Sequence, residues 1–481
     1  MRKKTASVEK ILGWNCFSFP KNGAENIFEC ETHKIIEFPS KEIRYCAKLP
    51  ALSIEEAAAL KKITKKFQES RAKKTGSDFS GFIEDYCVEN RVFLDPEQRG
   101  YFAELLKSRV FGFSALDCFL NDAAIEEISV IGTGTKKPVF VFHREFGWIK
   151  TNVFFGRESF AKDIANKMAR KTGRRLTLES PKLNACLPDG SRLTATMPPI
   201  SSETSLTIRK FREKPFTPAD LIENNTFSSE FCAFIWLALD LETSFLIAGN
   251  TGSGKTSSLN CLLAFVPKHE RIIIAEETPE ITLPHEHLVK MNVVKEQGFD
   301  MHSLIVDTLR MRPDRVVVGE IRNSSEAAAF MDTLLAGQGR GSYGTFHAQS
   351  TKEAVARLKS FGIKELDLSS IDLLLIQRRW AQKADRGFIE KRRLTEVSEI
   401  DFSGEKTAPR QLFAFDFSSD CLKKTCESQK IFSKARDFLG FNRNDFSAEI
   451  EKRKKILETF LGKKISLQDF FEAINRKGAL K

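Results

Sequence analysis

No run of about 18 apolar residues occurs in this 481-residue chain, so no transmembrane helix is predicted. The opening Met1-Arg-Lys-Lys-Thr-Ala-Ser-Val-Glu-Lys holds no apolar stretch long enough for a secretory signal, and a cytoplasmic protein is expected. Paired C-x-x-C knuckles are absent. Ten cysteines in a long chain without an export signal argue against a disulfide framework. Cys87, Cys118, Cys186, Cys232, Cys261, Cys421 and Cys426 read as packed or surface thiols. Long internal repeats and low-complexity segments are missing too, which excludes a solenoid or a disordered chain.

What is present is a globular composition, 41% hydrophobic and 29% charged, with a formal net charge of +11. The basic excess is strongest late: residues 451–481 hold nine Lys/Arg against four Asp/Glu. It suits either an ordinary soluble surface or attraction to nucleic acid or an anionic membrane face.

The chain divides by pattern. Residues 1–50 are rich in turn signals and read as an N-terminal segment. Residues 51–110 have helical spacing at Leu52, Ala57, Leu60, Ile63 and Phe67. Residues 111–212 read as an α/β domain, with strands near 125–131, 138–143, 193–197 and 205–209 and a helix over 157–172. Two prolines and several charges at 210–218 suggest a linker, set at 213–224. From 225 to 400, apolar runs at 244–248, 271–275, 315–318 and 343–346 alternate with helical segments, as in strands buried on both faces of a parallel sheet. A hairpin is expected around Asp385–Gly387, and residues 401–481 read as helical.

One motif carries the chemistry. Gly249, Asn250, Thr251, Gly252, Ser253, Gly254, Lys255 and Thr256 match G-x-x-x-x-G-K-[ST] in full, between an apparent strand and a helix opening at Ser257. Such a loop turns its backbone N–H groups onto phosphate oxygens, and the helix adds its positive N-terminal end. Lys255 is expected on the β- and γ-phosphates, and Thr256 on Mg²⁺. Gly249 through Ser257 form the candidate nucleotide-binding set. No Asn-Lys-x-Asp motif follows, so guanine recognition is not indicated.

Further strand ends carry titratable groups. Glu276, Glu277 and Glu280 follow the run at 271–275, where a carboxylate could orient or deprotonate an attacking water. Val316-Val-Val-Gly-Glu320 ends a buried run in an acid, as a Walker B strand does, with Glu320 supporting Mg²⁺. His347 ends the run at 343–346, where an imidazole could sense phosphate.

Taken in order, these four motifs resemble the ATPases of type II secretion, type IV pilus assembly and type IV secretion over roughly residues 115–400. The segment Gly337–Gln349 looks most like the archaeal and Tad-type branch. The resemblance implies an α/β fold: a RecA-like P-loop ATPase core with a smaller α/β N-terminal domain and helical extensions. It also implies a homo-hexamer, ATP and Mg²⁺ as cofactors, Glu276 as the water-activating group, a polytopic membrane platform protein as partner and pilin-like or secreted substrates behind it. The location it implies is peripheral, at the inner face of the cell membrane. Arg192 and Arg209 resemble the family's N-terminal-domain arginines that face the nucleotide; Arg174, Arg175, Arg310, Arg312 and Arg322 are further contributors. Some branches carry a second His earlier in the last motif, where this chain has Arg340.

Cys16, Cys30, His33 and Cys46 are four potential ligands within about thirty residues, and Cys₃His is an allowed structural Zn²⁺ set. A bound zinc would clip a segment too short to form its own core; unlinked thiols are the alternative. The function expected is an ATP-driven motor for filament assembly or protein secretion. A RecA-like nucleic-acid translocase or helicase is the alternative, and it would show salt-sensitive binding to DNA or RNA. A ring scaffold with weak ATPase activity is a third. No specific nucleic acid is expected as a partner.

Overall fold

Alternation of buried and half-buried residues marks His33–Glu37 and Ile43–Ala47 as strands of the computed structural model. It describes residues 8–19, 23–50, 52–70, 78–212, 214–294, 297–337, 339–383, 388–403 and 406–477. The chain forms two compact units. Met1–Phe211 with Ala381–Glu390 make the first, and Arg212–Trp380 with Lys391–Lys481 the second.

The first unit holds a ten-stranded sheet. Its strands are β1 (Trp14–Cys16), β2 (Glu25–Glu29), β3 (His33–Glu37), β4 (Ile43–Ala47), β5 (Ile125–Val130), β6 (Pro138–His143), β7 (Gly147–Phe155), β8 (Lys182–Cys186), β9 (Arg192–Thr196) and β10 (Ser205–Arg209). They run in the order β2-β3-β4-β7-β6-β5-β10-β9-β8, with β1 on β7. Strands β1–β4, all before residue 50, are therefore part of this sheet. Helices Ile54–Glu69 and Pro96–Val110 both start on capping boxes, Ser53 with Glu56 and Asp95 with Gln98. Leu60, Ile63, Phe67, Phe102 and Leu106 pack with Ile128, Val141 and Val153 in one core.

This arrangement corrects the zinc expectation. In the antiparallel register His33 lies opposite Ala47, while Cys46 lies opposite Lys34. Side chains alternate along a strand, so His33 and Cys46 leave opposite faces of the sheet. Cys30 Sγ does approach His33 Nδ1 at 3.3 Å, but Cys16 stands opposite Val153 on β7. Among the described residues no group of three His, Cys, Asp or Glu side chains could hold a metal ion. His33 instead stacks on Tyr45 at 4.4 Å and approaches Asp122 at 3.5 Å.

The second unit holds a nine-stranded sheet. Its members are β11 (Phe245–Gly249), β12 (Ile272–Glu276), β13 (Leu288–Asn292), β14 (Arg315–Ile321), β15 (Gly341–Phe346), β16 (Leu373–Lys383), β17 (Phe388–Ser403), β18 (Lys406–Asp416) and β19 (Cys421–Lys424). The order is β13-β12-β14-β15-β11-β16-β17-β18-β19. The strands from β13 to β16 are parallel; β17, β18 and β19 pair antiparallel. Both faces are covered. Phe245 and Ile247 enter one core with helix Ser229–Asp240, while Leu246 and Ala248 enter another with helices Met301–Thr308 and Ser324–Leu335. Burial on both sides is why these strands are apolar without alternation. The fold is the expected α/β one with a RecA-like core.

Two boundaries differ from expectation. The presumed linker contains helix Pro218–Glu223, nucleated by Thr217 and Asp220 in a capping box. The C-terminal region read as helical carries β18 and β19 before helices Gln429–Leu439, Arg443–Glu458 and Leu467–Lys477. The turn expected at Asp385–Gly387 lies outside the described residues, although β16 and β17 on either side of it are neighbours in the sheet.

Candidate active site

Parallel strands bring their C-terminal ends to one edge, and each motif sits at such an end. The phosphate loop leaves β11 at Gly249 and closes at Gly254, where helix Lys255–Leu263 begins. Gly252 and Gly254 have φ of +72° and +93°, a region closed to most side chains. Lys255 is buried, and its Nζ donates to the carbonyls of Gly249 at 3.0 Å and Asn250 at 3.3 Å, so it lies folded along the loop. The Ser253 hydroxyl is buried, Thr256 half-buried and Ser257 exposed.

β15 lies beside β11 and delivers His347 next to the loop. Its Nδ1 is 3.2 Å from the Gly249 carbonyl, and its Nε2 is 2.7 Å from Glu320 Oε1. Both ring nitrogens thus lie against oxygen atoms of neighbouring strands. Glu320 comes from the next strand, β14. Between Val318 and Ile321 that strand carries one residue more than β15 opposite it, a bulge that re-aims the acid. Thr345 donates to the Gly319 carbonyl within the bulge at 2.6 Å.

Glu276 ends β12, the strand beyond. It is 3% exposed. Its Oε1 accepts the N–H groups of Glu280 and Ile281, both at 3.0 Å, while Oε2 is buried without a hydrogen-bond partner among the described residues. Burial pushes its carboxyl up to about 7; the two N–H groups oppose the rise and the Glu280 charge adds to it. Gly319 makes room for this side chain, because a Cβ there would stand 3.0 Å from Glu276 Cγ.

Arg322 joins the two acidic motifs. Its guanidinium pairs with Glu320, with Nε 2.6 Å from Oε2, and with Glu277. Sequence reading named Arg322 without ranking it; it lies one residue past the end of β14, close in the chain to Glu320.

Other expected residues lie elsewhere. Arg192 and Arg209 belong to the first unit, where they are register partners on β9 and β10 and share a face of the sheet. Arg340 precedes β15 while His347 follows it, so the strand's length separates them. There Arg340 meets Glu270 at 3.2 Å, beside the buried Arg315–Glu270 pair. That position is structural in this chain. Arg310 is exposed.

The arrangement is an anion cradle flanked on one side by a histidine, two strand-end carboxylates and an arginine. A family profile described as "Type II/IV secretion system protein" matches residues 144–409. The chain belongs to that family. An uncharacterized protein of Methanocaldococcus jannaschii is 30% identical over 416 residues, 81% of this chain and 72% of that protein. The type IV secretion system protein VirB11 of Bartonella quintana is 30% identical over 257 residues, 44% of this chain and 72% of that protein. The crystal structure of the VirB11 ATPase from Brucella suis is 24% identical and covers 59% of this chain and 92% of that one, with a TM-score of 0.31. This secretion-family chain is an ATPase, and none of its described helices is long and apolar enough to cross a membrane.

Proposed function

We propose that the chain is a hexameric motor. In this reading it hydrolyses ATP to move a membrane platform protein, driving assembly of a type IV pilus or archaellum-like filament, or type II/IV secretion. The observation that carries the reading is the junction at the phosphate loop. There His347 touches both the loop, at the Gly249 carbonyl, and the Walker B acid Glu320, within a chain matched by the secretion family over 144–409.

Roles follow from the positions. Lys255 leaves its two carbonyl partners for the β- and γ-phosphates, beside the N–H groups of the loop. Glu276 takes the proton of the attacking water. One oxygen is fixed by two N–H groups, and the other, buried, has no hydrogen-bond partner among the described residues. A carboxyl near neutrality suits a general base at cellular pH. His347 moves with the γ-phosphate and passes its presence or loss to Glu320. Arg192 and Arg209, on one face of their sheet, neutralise charge as the β–γ bond breaks.

The donor set suits Mg²⁺. The Thr256 hydroxyl and the Glu320 carboxylate are hard oxygen ligands, and both side chains are half-buried. When bound there, the ion neutralises charge developing on the phosphate oxygens. The place of action is the inner face of the cell membrane, reached through the platform protein.

Phosphate release by the purified protein tests this. Lys255→Ala should lower turnover at least about 100-fold, because the phosphate charge loses its fixed partner. Glu276→Gln should still bind ATP and stop turning over. Wild-type rates in Glu276→Gln would move water activation to Glu277, Glu280 or Glu320. Turnover should rise when the cognate polytopic membrane protein is added. An unchanged rate would remove the motor reading and leave an ATPase alone.

A further inference from the structure

The loop has a second flank. β16 lies beside β11 on the side away from β15, with Gln377 in register with Gly249. Beyond that pair, the Asn250 side chain clasps the backbone of Arg379: its Nδ2 donates to the Arg379 carbonyl at 3.0 Å, and its Oδ1 accepts the Arg379 N–H at 2.9 Å. This reciprocal pair fixes where residue 379 stands against the loop. The guanidinium then lies on the crown of the loop, with Nη1 2.9 Å from where a Cβ on Gly252 would be. Two residues earlier on the same face, Gln377 is 2% exposed. Its Nε2 comes within 3.1 Å of a Cβ placed on Gly254, and its Oε1 has no hydrogen-bond partner among the described residues. Arg378, between them, points the other way and is exposed.

We propose that Arg379 is a nucleotide-binding residue, a cation that β16 lays on the phosphate loop to hold the phosphate chain of the nucleotide. The hydrolytic groups Glu276, Glu320 and His347 all arrive from the β15 side. Arg379 comes from the opposite side, so it acts on phosphates that ATP and ADP share. It governs affinity rather than the chemical step. The proposal rests on the nucleotide site described above.

Fluorescent ADP and ATP analogues titrated into the full chain test it. Arg379→Met keeps the stem and removes the charge. It should weaken both ligands roughly tenfold, about the effect of one charge-assisted hydrogen bond, with kcat at saturating ATP within about threefold of wild type. Arg379→Lys should recover most of the affinity, and Arg378→Ala should bind like wild type. Arg379→Gln replaces the Met variant if that one melts early. Wild-type affinity in the charge-free variants overturns the proposal. So does equal weakness of the Lys and Met variants, since only packing would then matter, and so does lost kcat with affinity intact. A wild-type chain that binds neither nucleotide would remove the underlying site as well; binding by wild type with no effect at 379 removes this proposal alone.

Discussion

Glu276 holds its two oxygens in different surroundings, one fixed by two N–H groups and one buried without a partner among the described residues. A base of this kind has a visible titration. The carboxyl must be ionised to take a proton, so kcat/KM should climb as pH rises through about 7. With Mg²⁺ in excess, the rising limb reports the free enzyme. Burial is the larger cause of the raised value, and the Glu280 charge adds to it. Glu280→Gln should therefore move the limb to lower pH without removing it. A kcat/KM that stays flat between about pH 5.5 and 8 would take the base role from Glu276. Gly319→Ala is a steric companion. Its methyl would press on Glu276 Cγ, so kcat should fall while ATP binding holds; unchanged kcat would mean the side chain yields freely. At this scale the sequence was most readable where chemistry is contiguous. Lys255 and Thr256 follow from one eight-residue pattern, and Glu276, Glu320 and His347 from their places at the ends of apolar runs. Arg379 was not readable, because its nearness to Gly252 depends on which strand lies next to β11. That neighbour comes from more than a hundred residues downstream.

Apolar runs flanked by helical periods made the parallel strands legible as elements, since burial on both faces leaves no alternation to confuse them. The short strands were not. β3 and β4 have five residues each, and β19 has four, and charged residues interrupt their apolar positions. Cross-strand pairing fixes them, and pairing is not local. The C-terminal helices were readable as helices, but their attachment was not. Helix Arg443–Glu458 is held on helix Ser229–Asp240 by Arg453, a fully buried side chain. It meets Asp240 at 2.7 Å and Glu449 at 2.9 Å, and it lies over the Trp236 ring at 4.7 Å. Burial pushes the Asp240 carboxyl up, and Arg453 opposes that. Arg453→Met would take the hydrogen-bonded cation from the buried Asp240 carboxylate, which costs about 3–5 kcal/mol. In a unit this large the melting temperature should drop by roughly 10 °C. Asp240→Asn in the same chain should restore part of the loss by removing the stranded charge. A drop under about 2 °C in Arg453→Met would mean that apolar packing alone holds the helix.

For the whole molecule, the cations proposed to meet the nucleotide come from both units. The second unit gathers the phosphate loop and three acidic side chains, Glu276, Glu277 and Glu320, close to the place where a triphosphate would add several more negative charges. Lys255 and Arg322 are the cations of its motifs there, and Arg322 is bridged to two of those acids. Arg192 and Arg209 are on the first unit. An arginine supplied by a neighbouring copy, as the proposed ring requires, would favour closed assemblies, in which every copy gives and receives the same contacts. The family resemblance sets the expected number at six. Mass photometry of the purified chain with a non-hydrolysable ATP analogue should give a peak at six times the 54.4 kDa chain mass. Lys255→Ala, which loses its grip on the phosphates, should shift the population toward smaller species under the same conditions. Arg192→Ala with Arg209→Ala should do so while the isolated phosphate loop remains intact. A monomer at micromolar concentration in every nucleotide state would contradict the ring. Hexamers that persist unchanged in both variants would keep the ring but separate its assembly from the nucleotide.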